Sequence, residues 1–193
     1  MILLLCGKTA SGKTSIRDEL VKLGYKSIVT FTTRPIRDGE IDGVTYHYIS
    51  TEEFLEKETD GFFAETTSYN VATGETWYYG TATEDLTEDG VLIVNPDGLK
   101  TIKNMENIKT IAFLIMADEN TLWNRLRQRG DLAEEARRRL SADEEDFRNV
   151  TDYVDFAIRN VNENLTDIAD LIKHLSYWVN RTKKVGDSNE SKT

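Results

Sequence analysis

The stretch GKTASGKT at residues 7–14 constrains this chain more than any other, because it matches the pattern GxxxxGK(S/T) and follows directly on the apolar run MILLLC. A short apolar run ending in glycine reads as a buried strand. The segment KTSIRDELVKLG behind it reads as a helix, with Ile16, Leu20, Val21 and Leu23 on one face and Gly24 as its stop. Strand, glycine-rich loop and helix in that order let backbone N–H groups curl around a phosphate while the helix N-terminus adds its positive end. Gly7, Ser11, Gly12, Lys13, Thr14 and Ser15 are therefore expected to hold a nucleoside triphosphate, with Lys13 bridging the β- and γ-phosphates and the Thr14 hydroxyl on Mg2+. Lys8 and Ser11 stand at variable positions of such loops and are assigned no chemistry of their own.

Apolar, β-rich runs continue to alternate with helical patterns, which predicts an α/β fold: a parallel sheet with helices on both faces. KSIVTFTT reads as a second strand, while GVLIVN and IKTIAFLIM read as strands buried on both sides. Residues 34–81 differ, with five turn glycines, many aromatics and one short helix at STEEFLEK, where Ser50 and Glu53 form a capping box. They read as a small insert on a core of residues 1–33 and 82–181. Further on come a basic helix, ENTLWNRLRQRG, and a very polar one, LAEEARRRLSADEEDFRNV. The strand VDFAIRN then precedes an amphipathic helix carrying Leu165, Ile168, Leu171, Ile172, Leu175 and Val179. Residues 182–193 have no apolar side chain except Val185 and are expected to be a disordered tail on a single domain.

Charge narrows the partners. A formal net charge of −10 repels nucleic acid and anionic lipid, so an enzyme of this chain that handles nucleotides must gather its arginines locally. No run approaches the ~20 apolar residues of a membrane helix, and MILLLC lacks the basic flank and length of a signal sequence. The single Cys6 excludes an internal disulfide and reads as a buried strand residue. A cytoplasmic protein is expected. A phosphate loop by itself leaves GTPases, ATPase motors and kinases open. The guanine-reading NKxD and the DxxG switch of GTPases are missing, and the chain is too short for a motor, which leaves a small kinase.

The acceptor is suggested by FTTRPIRDGEIDGVTYHYIS, Phe31 to Ser50. Arg34 and Arg37 flank a stiffening proline, and two guanidinium forks held close suit a phosphate dianion. A tyrosine hydroxyl, from Tyr46 or Tyr48, can complete the set. This segment resembles the monophosphate-binding motif of guanylate kinases, TTRxPRxGExxGxxYxF, differing in the position of the proline and the last aromatic. The resemblance extends over most of the chain, through the phosphate loop, FFAE, YYGT, RLRQRG, RRL and DYVDFAIRN in the family's order.

That resemblance implies a three-layer P-loop NTPase core with a monophosphate-binding insert and a helical lid at about residues 124–146. It implies ATP and Mg2+ as the phosphate donor and cofactor, and GMP or dGMP as acceptor. Arg34, Arg37, Tyr46 and Tyr79 would hold the acceptor phosphate, Glu65 would read N1–H and the N2 amino group of guanine, and Thr30, Thr81 and Asn95 would stand against the base. In the lid, Arg125 and Arg129 share a helical face, and these with Arg138 or Arg139 would close over the triphosphate. Lys13, Arg34, Arg129 and Arg139 would carry the catalytic charge, and no general base is required because the acceptor is already an anion. Three departures leave alternatives open. Asn95 replaces the family's aspartate, with Asp97 two residues out of register as its substitute. The connection TTSYNVATGETWYYGT is several residues longer than usual, which makes Glu75 a rival to Glu65. The lid spacing is one residue short, which blurs Arg138 against Arg139. A kinase of the same fold for another monophosphate, and a non-catalytic guanylate-kinase-like binding module, are the alternative functions. The latter typically loses the phosphate loop that is intact here.

Overall fold

The computed structural model describes residues 1–71 and 74–190, with side chains to residue 181. Its elements run, in chain order, β1 (Ile2–Cys6), α1 (Lys13–Lys22), β2 (Lys26–Ser27), β3 (Phe31–Thr32), β4 (His47–Tyr48), α2 (Thr51–Thr59), β5 (Phe63–Asn70) and β6 (Thr76–Ala82). After these come β7 (Gly90–Ile93), α3 (Pro96–Lys103), β8 (Thr110–Met116), α4 (Glu119–Gln128), α5 (Ala133–Asp146), β9 (Phe156–Arg159) and α6 (Leu165–Glu190). β1 is apolar along its whole length because it lies at the centre of a five-stranded, all-parallel sheet of order β2-β7-β1-β8-β9.

Strand alternation divides β1 between two cores. Leu3 and Leu5 pack with Ile16 and Leu20 of α1 and Ile168 and Ile172 of α6, while Ile2, Leu4 and Cys6 pack with Leu99 and Ile102 of α3. Cys6 is fully buried, as expected, and burial pushes its thiol pKa up to about 12. Five of the six apolar residues predicted for the last helix join the first core. Leu171 faces out, as does Val21 of α1. The helical backbone of α6 also continues through residues 182–190, where composition predicts a disordered tail. Propagating a formed helix costs far less than nucleating one, which is the physical reason a polar sequence can follow on from it. Residues 191–193 of that predicted tail lie outside the described residues.

The predicted strand KSIVTFTT is split between two sheets. Ile28 donates its N–H to Val91 and buries its side chain in the main core, whereas Phe31 packs against His47, Phe62 and Phe63. The chain changes sheets between these two apolar destinations. The second sheet, of order β4-β3-β6-β5, therefore begins at Phe31 rather than after residue 33. Under it Phe54 of α2, fully buried, stacks on Phe63 with ring centroids 4.5 Å apart. Ser50 caps α2 by accepting from the Glu53 N–H at 3.1 Å.

On either side of residues 72–73, the unusually long connection after Glu65 is regular structure. β5 and β6 pair in one antiparallel register from Glu65↔Thr81 out to Asn70↔Thr76, so the additional residues lengthen a hairpin; the register shifts only at its inner end, between Phe63 and Glu65. α3 was not legible as a helix in the segment NPDG, although that segment holds its start. Asn95 is the N-cap, accepting from the Gly98 N–H at 2.8 Å, and Pro96 occupies the first turn. The predicted lid, residues 124–146, corresponds to the second half of α4 and to α5. Among the residues of α5 only Ala136 is buried, so this helix rests on the molecule through polar contacts.

Candidate active site

The phosphate loop leaves the carboxyl end of β1 between β7 and β8. In open α/β sheets a ligand crevice forms where neighbouring strands are reached in opposite directions from the central one. A cleft of about 1040 Å³ opens there, walled by the loop, the second sheet and the helices α4 and α5. Gly12, Lys13, Thr14 and Ser15 line it, while Ser11 is fully buried beneath. Gly12 has φ 98, and a Cβ on it would come within 2.2 Å of the Asn160 side-chain nitrogen. Only glycine fits that backbone. A Cβ on Gly7 would similarly approach the Ile115 carbonyl oxygen to 2.4 Å, so Gly7 closes the loop against β8 rather than facing the cleft.

Two side chains hold the loop from behind. Asn160 is buried and donates to the Ser11 carbonyl at 2.8 Å. Arg125 donates to the carbonyls of Ala10 and Ser11 at 3.2 Å each, and to that of Val161 at 3.2 Å. Arg125, predicted for the triphosphate, is thus spent largely on backbone oxygens. Asn160 had no signal in the sequence beyond its place at the end of a strand. Lys13 Nζ folds onto the loop, donating to the carbonyls of Gly7 at 2.6 Å and Lys8 at 2.9 Å. Burial lowers its pKa, with the Arg129 charge adding to that effect and Cys6 and Asp143 opposing it.

The two arginines predicted for the acceptor phosphate stand in different states. Arg34 is 4% exposed and donates to both carboxylate oxygens of Glu40, at 2.8 and 2.9 Å, and to the Pro35 carbonyl at 2.8 Å. Glu40 also accepts from the Arg37 N–H and the Tyr48 hydroxyl, each at 2.8 Å. Burial would raise the Glu40 pKa, but these hydrogen bonds and the Arg34 charge outweigh it and hold it down at about 2. The Arg37 guanidinium makes no hydrogen bond or ion pair among the described residues. Burial and repulsion from Arg34 and Arg139 lower its pKa. Tyr46 and Tyr79 meet edge to face, 5.9 Å apart, on the same wall, and Thr30 lies beside them. Tyr48, offered as an alternative hydroxyl, is committed to Glu40.

Of the residues predicted to stand against the base, Thr30 lines the open cleft, whereas Glu65, Thr81 and Asn95 are not among its lining residues. Thr81, fully buried, donates to Glu65 at 2.6 Å. A Cβ on Gly98 would come within 2.7 Å of the other Glu65 oxygen, so this carboxylate is packed against the start of α3. Burial raises the Glu65 pKa and the Thr81 hydrogen bond opposes that rise. Glu75 is exposed at the far end of the hairpin, five or more rungs away from Thr81 in the register. Asn95 spends its carbonyl on capping α3 and its amide on Thr67 at 3.1 Å and Tyr69 at 3.0 Å. Asp97 is exposed and lies 3.4 Å from Lys100 on the outside of α3.

Across the cleft, the arginines predicted for the lid are paired with acids. Arg129 pairs with Asp131 at 2.5 Å, Arg139 with Glu135 at 2.7 Å and Asp131 at 3.4 Å, and Arg138 with Glu135 at 2.8 Å. Of Arg138 and Arg139, the second is the less exposed and the one whose charge Arg37 feels. α5 also touches the phosphate loop: Asp143 accepts from the Thr9 N–H at 2.6 Å, and Glu144 pairs with Lys8. A carboxylate on a loop amide occupies a position suited to a phosphate oxygen, and sequence reading missed it because α5 carries many acids. Among the described residues no group of three or more His, Cys, Asp or Glu could hold a metal. The Thr14 hydroxyl on the cleft wall fits a Mg2+ that arrives on phosphate oxygens and keeps several waters. No helix of the described residues is long and apolar enough to cross a membrane.

Comparison with known proteins extends over the same chain. A family model described as guanylate kinase matches residues 1–176. A guanylate kinase of Sulfurimonas denitrificans is 36% identical over 183 residues, covering 89% of this chain and 84% of its own. One from Clostridioides difficile is 31% identical over 96% of this chain and 93% of its own. A crystal structure of a guanylate kinase from Anaplasma phagocytophilum superposes with a TM-score of 0.65 over 91% of this chain and 83% of its own, at 24% identity, which speaks for the fold.

Proposed function

The chain belongs to the guanylate kinase family, and from that premise we propose that it transfers the γ-phosphoryl group of ATP to GMP or dGMP, yielding ADP with GDP or dGDP. The observation that carries this reading is the open Arg37 guanidinium, which with Tyr46 and Tyr79 of the insert lines the same cleft as Gly12, Lys13 and Thr14 of the phosphate loop, with Arg129 and Arg139 on the opposite wall. The uncompensated positive charge of Arg37 on the insert wall is what an anionic phosphate in the cleft would neutralise.

In this reading the loop amides and Lys13 hold the donor phosphates, and Lys13 exchanges its carbonyl partners for β- and γ-oxygens. The Thr14 hydroxyl would hold a Mg2+ carried on the ATP, which would supply part of the neutralisation of the phosphate charge. Arg34 is held rigid by Glu40, so Arg37, Tyr46 and Tyr79 complete the grip on the acceptor phosphate around a fixed point. Glu65 accepts from N1–H and the N2 amino group of guanine, with Thr81 orienting it. Arg129 and Arg139 leave their carboxylate partners for the transferring phosphoryl group, and closing α5 over it excludes the water that would otherwise intercept it. Catalysis then consists of in-line positioning and charge neutralisation, with no general base. One buried thiol and nucleotide substrates support a cytoplasmic location.

A coupled assay of ATP consumption with GMP, dGMP, AMP, CMP and dTMP tests the proposal. Turnover confined to the guanine nucleotides is expected. Turnover of AMP, CMP or dTMP without GMP would overturn the substrate, and no consumption with any monophosphate would favour the binding module.

A further inference from the structure

The lengthened hairpin does more than bridge two strands. Its pairing places Glu65, Thr67 and Tyr69 of β5 on one face with Thr81, Tyr79 and Trp77 of β6, because side chains alternate and Tyr69 stands directly opposite Trp77. The face that carries the base reader and the phosphate-binding tyrosine therefore continues outward without a break, and Tyr69 and Trp77 line the cleft beside Tyr79. Tyr69 meets Tyr79 edge to face at 5.7 Å, and Tyr79 meets Tyr46 at 5.9 Å.

Tyr69 is also held in place. Asn95 must turn its carbonyl oxygen to the Gly98 N–H that it caps, so its amide must face the Tyr69 hydroxyl, which accepts from it at 3.0 Å. The ring is fixed at its polar end while 39% of the residue stays exposed on the cleft. Asp146 of the lid is near enough for its charge to act on Tyr69, so the ring faces the space between hairpin and lid. A fixed aromatic wall on the same face as the base-reading carboxylate, four residues further out along β5, suits the flat, partly apolar body of a nucleoside that extends along that face.

We propose that Tyr69, with Trp77 behind it, is an additional acceptor-binding and specificity-determining residue, packing its ring against the nucleoside of the monophosphate whose base Glu65 reads. The inference rests on the acceptor reading given above. Calorimetric titration of GMP and of ATP into the full chain, and into Y69A, Y69F and W77F, tests it. Y69A is expected to weaken GMP by about tenfold with ATP within about twofold, and Y69F, which keeps the ring, to stay within about threefold of the parent. GMP is further expected to change the tryptophan fluorescence of the parent, and W77F to lose that change. If Y69A is misfolded by far-UV circular dichroism, the Trp77 signal decides alone, and its absence in the folded parent at saturating GMP overturns the proposal. A parent that binds GMP while folded Y69A binds it equally well, or one in which Y69A weakens ATP as much as GMP, overturns this inference only. A parent that binds no GMP overturns the acceptor reading, and this inference with it.

Discussion

Removing the Glu40 carboxylate should cost this protein both stability and acceptor affinity. Arg34 has a side chain only 3% exposed, and Glu40, 19% exposed, is its carboxylate partner. Folding lowers the Glu40 pKa from 4.5 to about 2, so ionised Glu40 favours the folded state by about 3 kcal/mol at neutral pH. The cost of leaving a buried cation unpaired, ~3–5 kcal/mol, is of the same order. E40A should therefore melt roughly 6–12 °C below the parent at pH 7 by circular dichroism, at ~2–4 °C per kcal/mol for a chain of this size. Because the folded pKa is the lower one, the contribution is complete above about pH 5 and fades as pH falls towards 2. The stability gap between parent and E40A, measured by urea titration, should shrink to roughly half at pH 3. The double variant R34M/E40M removes the unpaired charge as well as the pair, and should recover most of the stability while binding GMP at least tenfold more weakly than the parent. An E40A that melts within 2 °C of the parent, or a double variant as unstable as E40A, would refute the account of Arg34 as a cation held in place by Glu40.

K13A should lower the transfer rate by two orders of magnitude or more while calorimetry finds GMP binding within about twofold of the parent; a matching loss of GMP affinity would place Lys13 on the wrong nucleotide. E65Q should weaken GMP by ~10–100-fold and spare ATP, and E75Q should do neither; the reverse pattern would move the base reader to the hairpin tip. D143A removes the carboxylate that holds the Thr9 N–H, so ATP should bind about fivefold more tightly by calorimetry, whereas weaker ATP binding would make Asp143 a ligand instead of a competitor. G12A should abolish ATP binding, since its Cβ meets Asn160 in a backbone conformation that alanine resists; retained binding would show that the loop can relax.

The local features proved readable wherever a residue's neighbours in sequence determine its state. The phosphate loop needs only consecutive amides and a following helix, so Gly12, Lys13 and Thr14 could be placed from their spacing. β1, β7 and β8 announced themselves because burial on both faces demands continuous apolar runs. NPDG failed as a helix start because the preceding apolar run drew Asn95 into a strand, although Asn, Pro and an acid in that order are capping chemistry.

Sequence alone determined the parallel core, the donor loop and the supply of arginines, because these depend on periodicity and on side-chain type. Tertiary structure alone decided which charges are open and which are spent. Arg34 and Arg37 look alike in sequence, yet one is locked to Glu40 and the other faces Arg139 from a segment about a hundred residues away. Glu65 is set apart from Glu75 by the rung on which it pairs with Thr81 and by the close approach of Gly98. Both are long-range contacts, and a charge takes its energy from the dielectric and the partners that such contacts create, which no local spacing encodes.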